Sequence, residues 1–286
     1  MAYLVGMILG NGEIQRNASN TTVTIEVPHK NLRDDEGLEV SIYVKSSLAD
    51  IRGVIEPLVG HSLPISQTKR ATSISFTKPN EDYTIREILR FIGSGVHHST
   101  MRMNDDLFNI TTDEKKELLR GIADVTGYIR KSNKAFGEEG HHRVYIEIPG
   151  NWQFVIDIAN LLKKLDIPVQ TIDFGHPNFR DPSLKKYNEG KPNYWKKEHQ
   201  VKIWANEFLS IGFNIVHKQR ALENYAEELL EYLDEEKTHK FYWEKTIRLR
   251  SKPSHPMEKD ISLPDKIRGK HFNSWTQLAK DLGYGE

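Results

Sequence analysis

The sequence predicts an α+β fold built from two pseudo-symmetric αββαββα repeats, followed by a short helical C-terminal extension. An apolar segment, Leu4 to Gly12, aligns without a gap with Leu119 to Gly127, an offset of 115 residues. Both segments carry glycine at their third and ninth positions. Each segment then changes from the 3.6-residue period of a helix to the alternation of a strand. A duplicated architecture is therefore expected.

Three glycines, Gly6, Gly10 and Gly121, lie inside the two predicted helices. Because glycine within a helix costs about 1 kcal/mol relative to alanine, we expect a compensating gain from close packing of the two helix backbones. Gly12 and Gly127 are predicted to end the helices with positive φ, as glycine commonly does. The two helices are therefore expected to pack against each other.

These segments resemble the paired motifs of the LAGLIDADG homing endonuclease family in its single-chain, two-repeat form. The run Ile211-Gly212-Phe213, with Lys218 beyond it, resembles the same family, so the resemblance covers roughly residues 3 to 233. It implies two helices at a pseudo-twofold axis, each followed by an antiparallel, DNA-facing saddle of strands. It also implies an acidic residue before the last glycine of each motif, which binds the divalent metals that cut DNA.

The motif acids are absent here, because Asn11 and Thr126 occupy their positions. Mg²⁺, the one cofactor expected, is usually held by one or two carboxylates with phosphate and water. Glu13 and Asp124 are the nearest acids and are therefore the candidate metal ligands. The candidate catalytic residues are Asn11, Glu13, Asp124, Thr126 and Lys218.

Composition indicates a globular protein, with 286 residues, 37% hydrophobic and 28% charged, and no cysteine, which excludes disulfides and thiol chemistry. No apolar run is long enough to span a bilayer, and no basic leader marks a signal peptide. We expect a monomeric, cytoplasmic protein without a membrane partner, associated with the nucleoid if it binds DNA.

The charge distribution is uneven. Forty basic and forty acidic residues give a net charge of zero, whereas DNA-binding proteins usually carry a basic excess. Residues 237 to 270 nevertheless hold ten Lys or Arg against four acids. A protein that is neutral overall can therefore present a basic surface on one side.

Four segments are predicted: a first repeat over 1–95, a linker over 96–112, a second repeat over 113–236 and a basic extension over 237–286. In the first repeat we expect a hairpin over Glu13–Val27 turning at Asn17–Asn20, a strand over Leu38–Lys45, a helix over Ser46–Val59, two strands within Leu63–Thr77 and a helix over Tyr83–Ile92. In the linker, His97 and His98 are expected in a solvated loop, and Thr112 or Asp113 is the expected N-cap of the second motif helix.

In the second repeat we expect strands over Tyr128–Lys134, Arg143–Pro149, Val169–Phe174 and Gln200–Trp204, with a helix over Asn151–Leu165. A long polar loop is expected over Gly175–Lys197, and loops of this length are usually functional or disordered. In the extension, Ser274–Gly283 is predicted to form one short helix.

Residues in or beside the predicted strands are the candidates for DNA binding, because a two-stranded ribbon fits the major groove and Arg, Asn and Gln can contact base edges. Lysine would chiefly contact phosphates. The candidates are Gln15, Arg16, Lys69, Arg70, Arg130, Lys131, Asn133, Lys134 and Arg143.

Three hypotheses follow. The first is a sequence-specific binder of double-stranded DNA that has lost cleavage, since removing metal ligands should abolish phosphodiester hydrolysis. The second is an active homing- or restriction-type endonuclease, a divalent-metal-dependent hydrolase with a relocated metal site. The third is a maturase-like RNA-binding protein or a purely structural protein.

Overall fold

The computed structural model describes residues 1–32, 40–130, 142–173, 199–230, 247–249 and 255–257. Within them, two successive sets of elements follow the order helix, two strands, helix, two strands, helix. This order confirms the predicted α+β class and its internal duplication. The predicted loop over Gly175–Lys197 and the predicted helix over Ser274–Gly283 lie outside the described residues.

The first set of elements contains one antiparallel sheet with strand order β1-β2-β4-β3. The hairpin and the turn predicted near Asn17 are confirmed. The elements are α1 (Ala2–Asn11), β1 (Gly12–Arg16), β2 (Asn20–Pro28), a short 3₁₀ turn (His29–Leu32), α2 (Val40–Val59), β3 (Ile65–Gln67), β4 (Ala71–Pro79) and α3 (Tyr83–Ile92).

The second set repeats these pairings, since β5 is antiparallel to β6 and β7 is antiparallel to β8. A further strand, β9, is parallel to β7 and antiparallel to β10. The elements are α4 (Asp105–Asn109), α5 (Thr112–Thr126), β5 (Gly127–Arg130), β6 (Arg143–Ile148), α6 (Trp152–Lys164), β7 (Thr171–Asp173), β8 (His199–Trp204), α7 (Ala205–Phe208), α8 (Val216–Leu230), β9 (Ile247–Leu249) and β10 (His255–Met257).

The chain divides into two compact units, one of residues 1–146 and 204–232 and the other of residues 147–203 and 233–286. The core of the first unit includes Leu4, Ile8 and Ile122, which are fully buried. The core of the second unit includes Phe154 and Ile172. The boundaries drawn between the repeats from the sequence stay a prediction.

The helices α1 and α5 pack backbone to backbone at their glycines. A Cβ atom added at Gly6 would lie 2.1 Å from the carbonyl oxygen of Leu118, and one added at Gly121 would lie 2.1 Å from that of Tyr3. Real Cβ atoms essentially never come within 3.0 Å of another heavy atom, so only glycine fits at either position. The contact is reciprocal under the 115-residue offset, as a pseudo-twofold helix pair requires.

Gly12 and Gly127 end their helices differently from the prediction of positive φ. Their φ angles are −112° and −98°, with extended backbone that leads directly into the following strand. A Cβ atom would instead lie 2.6 Å from the carbonyl oxygen of Ile8 or of Ala123, one turn earlier. Lack of space at the helix-to-strand transition, rather than a left-handed conformation, is the reason for glycine.

The predicted strand over Leu38–Lys45 is wrong, because residues 40–45 belong to α2. Tyr43 and Val44 are buried while Ile42 is 55% exposed, which is the pattern of a helix whose apolar face continues to Leu48 and Ile51. The β-branched and aromatic residues of this segment favoured a strand locally, but packing of the amphipathic helix prevails.

The N-cap of α5 lies before the predicted residues Thr112 and Asp113. The hydroxyl of Thr111 accepts a hydrogen bond from the backbone N–H of Glu114 over 3.3 Å, and the Glu114 carboxylate accepts from the Thr111 N–H over 3.0 Å. This reciprocal capping box satisfies two backbone donors at the start of the helix.

Candidate nucleic-acid interface

At the two positions where the LAGLIDADG motifs carry acids, this chain has neutral side chains that bond to backbone carbonyl oxygens. Asn11 is 9% exposed, and its Nδ2 donates to the carbonyl oxygen of Glu26 over 2.8 Å. Thr126 is 2% exposed, and its Oγ1 donates to the carbonyl oxygen of Ile122 over 2.6 Å. The Asn11 amide therefore ties the end of α1 to β2, whereas the Thr126 hydroxyl bonds back to the preceding turn of its own helix.

The candidate metal ligand Asp124 lies inside the first unit and is fully buried. Its carboxylate accepts hydrogen bonds from the Tyr3 hydroxyl over 2.8 Å and from the Asn214 N–H over 3.1 Å. Lys218, also buried, donates to the carbonyl oxygens of Asp124 and Gly127 over 3.0 and 2.6 Å. This network joins α1, the C-terminal end of α5 and the start of α8.

Burial sets the ionisation of this network. It raises the pKa of the Asp124 carboxyl to about 6, although the nearby Lys218 charge and the hydrogen bond from Tyr3 act in the opposite direction. Burial likewise lowers the pKa of Lys218 to about 8, opposed by the charge of Asp124. The pKa of Tyr3 is raised well above its ordinary value by burial and by Asp124. Each of these three pKa shifts disfavours the charged form of its group, as burial in a low-dielectric environment does.

A Mg²⁺ site of the family's type does not fit the ends of the motif helices. Asn11 and Thr126 carry no charge, and the carboxylate of Asp124 is buried and surrounded by hydrogen-bond donors. Among the described residues, no group of three or more His, Asp or Glu side chains could hold a metal ion. Glu13, by contrast, is exposed on β1, where its Oε1 accepts from the Gln15 amide over 3.1 Å.

One side of the first sheet is polar and open, while the other packs on the core. The strand register places Glu13, Thr24 and Ser75 in one row across the sheet, and Gln15, Thr22 and Thr77 in the next. We call this side the open face; its side chains are exposed or half-buried and are Glu13, Gln15, Thr22, Thr24, Glu26, Ser66, Ser73, Ser75 and Thr77. The alternate positions, such as Val23 and Ile74, are fully buried.

Hydroxyl and amide groups dominate the open face. The hydroxyls of Thr22 and Thr77 bond to each other over 2.8 Å across the strands. Within strands β1 to β4, the open face carries two carboxylates, Glu13 and Glu26, and no Lys or Arg. Such groups can exchange hydrogen bonds with base edges but cannot neutralise phosphates.

The predicted cationic contacts of the first repeat lie at the two ends of this sheet. Arg16 is exposed at the end of β1, on the side of Ile14 by strand alternation. Lys69 and Arg70 are exposed in the turn between β3 and β4. Because the β1–β2 turn and the β3–β4 turn are at opposite ends of nine-residue strands, these cations are separated by roughly 26 Å of strand.

In the second repeat the predicted contacts divide between exposed and enclosed positions. Arg130 is exposed and lies directly across the strands from Arg143. Arg143 is only 9% exposed, and its guanidinium lies 4.5 Å from the centre of the Trp204 ring. Lys131, Asn133 and Lys134 lie outside the described residues. Beside the arginine pair, Tyr128 and Tyr145 stack with ring centres 5.1 Å apart.

His97 and His98 do not lie in the simple solvated loop that the sequence predicted. His97 pairs with Glu13 in an isolated antiparallel bridge, and the His98 N–H donates to the Gly12 carbonyl over 2.8 Å. Burial, followed by the neighbouring His97, lowers the pKa of His98 to about 4. The segment after α3 therefore covers the outer edge of β1.

Glu26 was missed among the candidate residues of the open face. The alternation of Thr22, Thr24 and Glu26 with apolar residues already places these three side chains on one side of the strand. The candidates predicted from the sequence are all Arg, Lys, Asn or Gln, whereas Ser, Thr and Glu also contact bases.

No family model matches the chain, and no curated protein matches it. Among solved structures, it is similar to a variant of I-DmoI in complex with its target DNA in the presence of Mn, with TM-score 0.38 and 16% identity over 76% of this chain and 90% of that one. It is also similar to the N-terminal LAGLIDADG domain of DUF199/WhiA, with TM-score 0.34 and 12% identity over 80% of each chain. A third similar structure is the LAGLIDADG homing endonuclease I-GzeII in complex with its DNA target, with TM-score 0.38 and 8% identity over 79% of this chain and 83% of that one.

The fold assignment rests on the geometry of the chain itself. That geometry consists of the crossing glycine helices, the strand that follows each helix directly and the repeated αββαββα order. The fold is LAGLIDADG-like. Among the described residues, no helix is long and apolar enough to cross a membrane.

Proposed function

We propose that the protein binds double-stranded DNA sequence-specifically through the open face of the first sheet. The observation that supports this most directly is the distribution of polar groups over that sheet. Hydroxyl, amide and carboxylate groups occupy the face, and exposed cations lie at the two ends of the sheet. Cations at the ends suit phosphates on either side of a groove, while the face between them suits base edges.

We further propose that the protein binds DNA without cutting it. Asn11 and Thr126 carry no charge, and both donate hydrogen bonds to backbone carbonyl oxygens. Asp124, Lys218 and Tyr3 form a buried network whose role is to fix the helix pair. Of the five candidate catalytic residues, Glu13 alone combines a carboxylate with exposure on the open face. We also propose that the single chain, which carries both repeats, acts as a monomer. It would bind nucleoid DNA in the cytoplasm.

The test is a selection from a randomised duplex library with the full chain, carried out with Mg²⁺ or Mn²⁺ and with bound and cleaved DNA sequenced separately. We expect a defined sequence to be enriched in the bound fraction and no defined ends in the cleaved fraction. Defined ends that disappear with Glu13→Gln would contradict the loss of cleavage. A bound fraction no different from the input library would refute duplex recognition and favour an RNA or protein partner.

A further inference from the structure

Glu26 lies on the open face at a position where the backbone has partners on both sides. It belongs to the central strand β2, and its cross-strand neighbour on β4 is Ser73, which in turn pairs with Ser66 on β3. On the other side, the Asn11 amide fixes the Glu26 carbonyl oxygen over 2.8 Å. The backbone that carries this side chain is therefore held from both sides, as a residue that reads a base requires.

The Glu26 carboxylate is exposed, and no described residue bonds to it. A carboxylate can only accept hydrogen bonds, so it needs a donor from its partner. In the major groove, guanine presents acceptors at O6 and N7, and thymine presents an acceptor at O4. Adenine places its N6 donor next to the N7 acceptor, whereas cytosine presents the N4 donor alone.

We propose that Glu26 is a specificity-determining residue that selects cytosine at one position of the bound DNA. This inference rests on the proposed function, since it names the base that one residue of the same face reads. Phosphates and guanine are repelled by the carboxylate, and the neighbouring hydroxyls of Ser66 and Ser73 are small enough to leave it accessible.

The experiment compares the full-length protein with Glu26→Gln in the same duplex selection, followed by binding titrations on duplexes that differ at one base pair. Glutamine can bond to both N6 and N7 of adenine. We expect one position of the enriched sequence to change from cytosine to adenine, with about a tenfold loss of affinity for the cytosine duplex, or ~1.4 kcal/mol. The preferences at other positions should stay the same.

Glu81→Gln is the matched control, because Glu81 is exposed just after β4 and outside the open face. It removes the same charge and should leave every base preference unchanged. A defined site that is the same for the native protein and Glu26→Gln would overturn the inference while leaving the proposed function intact. A change shared by both variants would also overturn it, because net charge would then be the cause. Failure of the native protein to enrich any duplex would overturn both proposals.

Discussion

The ionisation of the buried Asp124 carboxyl makes the stability of the protein depend on pH. Burial raises the pKa of its carboxyl from 3.8 to about 6 in the folded protein. Because the folded state then binds the proton more tightly than the unfolded state does, this group contributes fully to stability below about pH 4. The contribution is lost as the pH rises through about 6.

We therefore predict that the native protein loses stability relative to Asp124→Asn between pH 4 and pH 7. One pKa unit corresponds to about 1.4 kcal/mol, so the difference in unfolding free energy should fall by roughly 2–3 kcal/mol. Urea unfolding of both proteins at pH 4, 5, 6 and 7 measures it. The asparagine amide also faces the Tyr3 hydroxyl, and loss of the Asp124 charge lowers the pKa of Lys218 further. The lower Lys218 pKa acts in the same direction, so the slope is the diagnostic quantity. Parallel pH profiles would contradict the assignment.

The sequence placed Asp124 on a helix but not inside a closed network. Its partners Tyr3 and Asn214 lie far away along the chain and meet it only after α1, α5 and the segment before α8 have packed together. Helical periodicity gives the direction of a side chain on its own helix and contains no information about which distant element covers it.

At the scale of elements, the contact between α1 and α5 depends on two absent side chains. We predict that Gly6→Ala destabilises the protein by about 1–3 kcal/mol, because the new methyl group meets the Leu118 carbonyl and overpacking forces the helices apart. Gly53→Ala is the matched control, since Gly53 lies within α2 with open space around it. That change should stabilise by about 0.4–1 kcal/mol. Thermal and chemical unfolding of both variants provide the measurement, and equal effects would contradict close helix packing.

The predictions for individual elements succeeded where local pattern and packing agree. The alternation of β2 and the repeated glycine spacing correctly indicated the first hairpin and the helix pair. The start of α2 could not be predicted in the same way, because Tyr43 and Val44 have strand-forming side chains yet are buried on one face of a longer helix. The burial of Arg143 against the Trp204 ring could not be predicted either, because these two residues are far apart in the sequence and meet only in the folded protein.

At the scale of the whole molecule, a net charge of zero does not describe the surface that would meet DNA. The open face of the first sheet holds two carboxylates, while Arg16, Lys69 and Arg70 are exposed at the ends of its strands. Affinity and specificity are therefore expected to reside in different residues, with phosphates contacted at the ends and bases contacted on the face.

This separation predicts that the double variant Lys69→Gln, Arg70→Gln weakens binding by the same factor for every duplex and leaves base preference unchanged. Each phosphate contact contributes about 0.9 to the slope of log affinity against log salt concentration, so the slope should fall by roughly 1.8. Titrations between 50 and 200 mM salt measure this, a range chosen because affinity changes steeply there. Lys45→Gln, exposed on α2, is the control and should leave the slope unchanged. A changed base preference in the double variant would show that the turn reads sequence, and an unchanged slope would show that it does not contact phosphate.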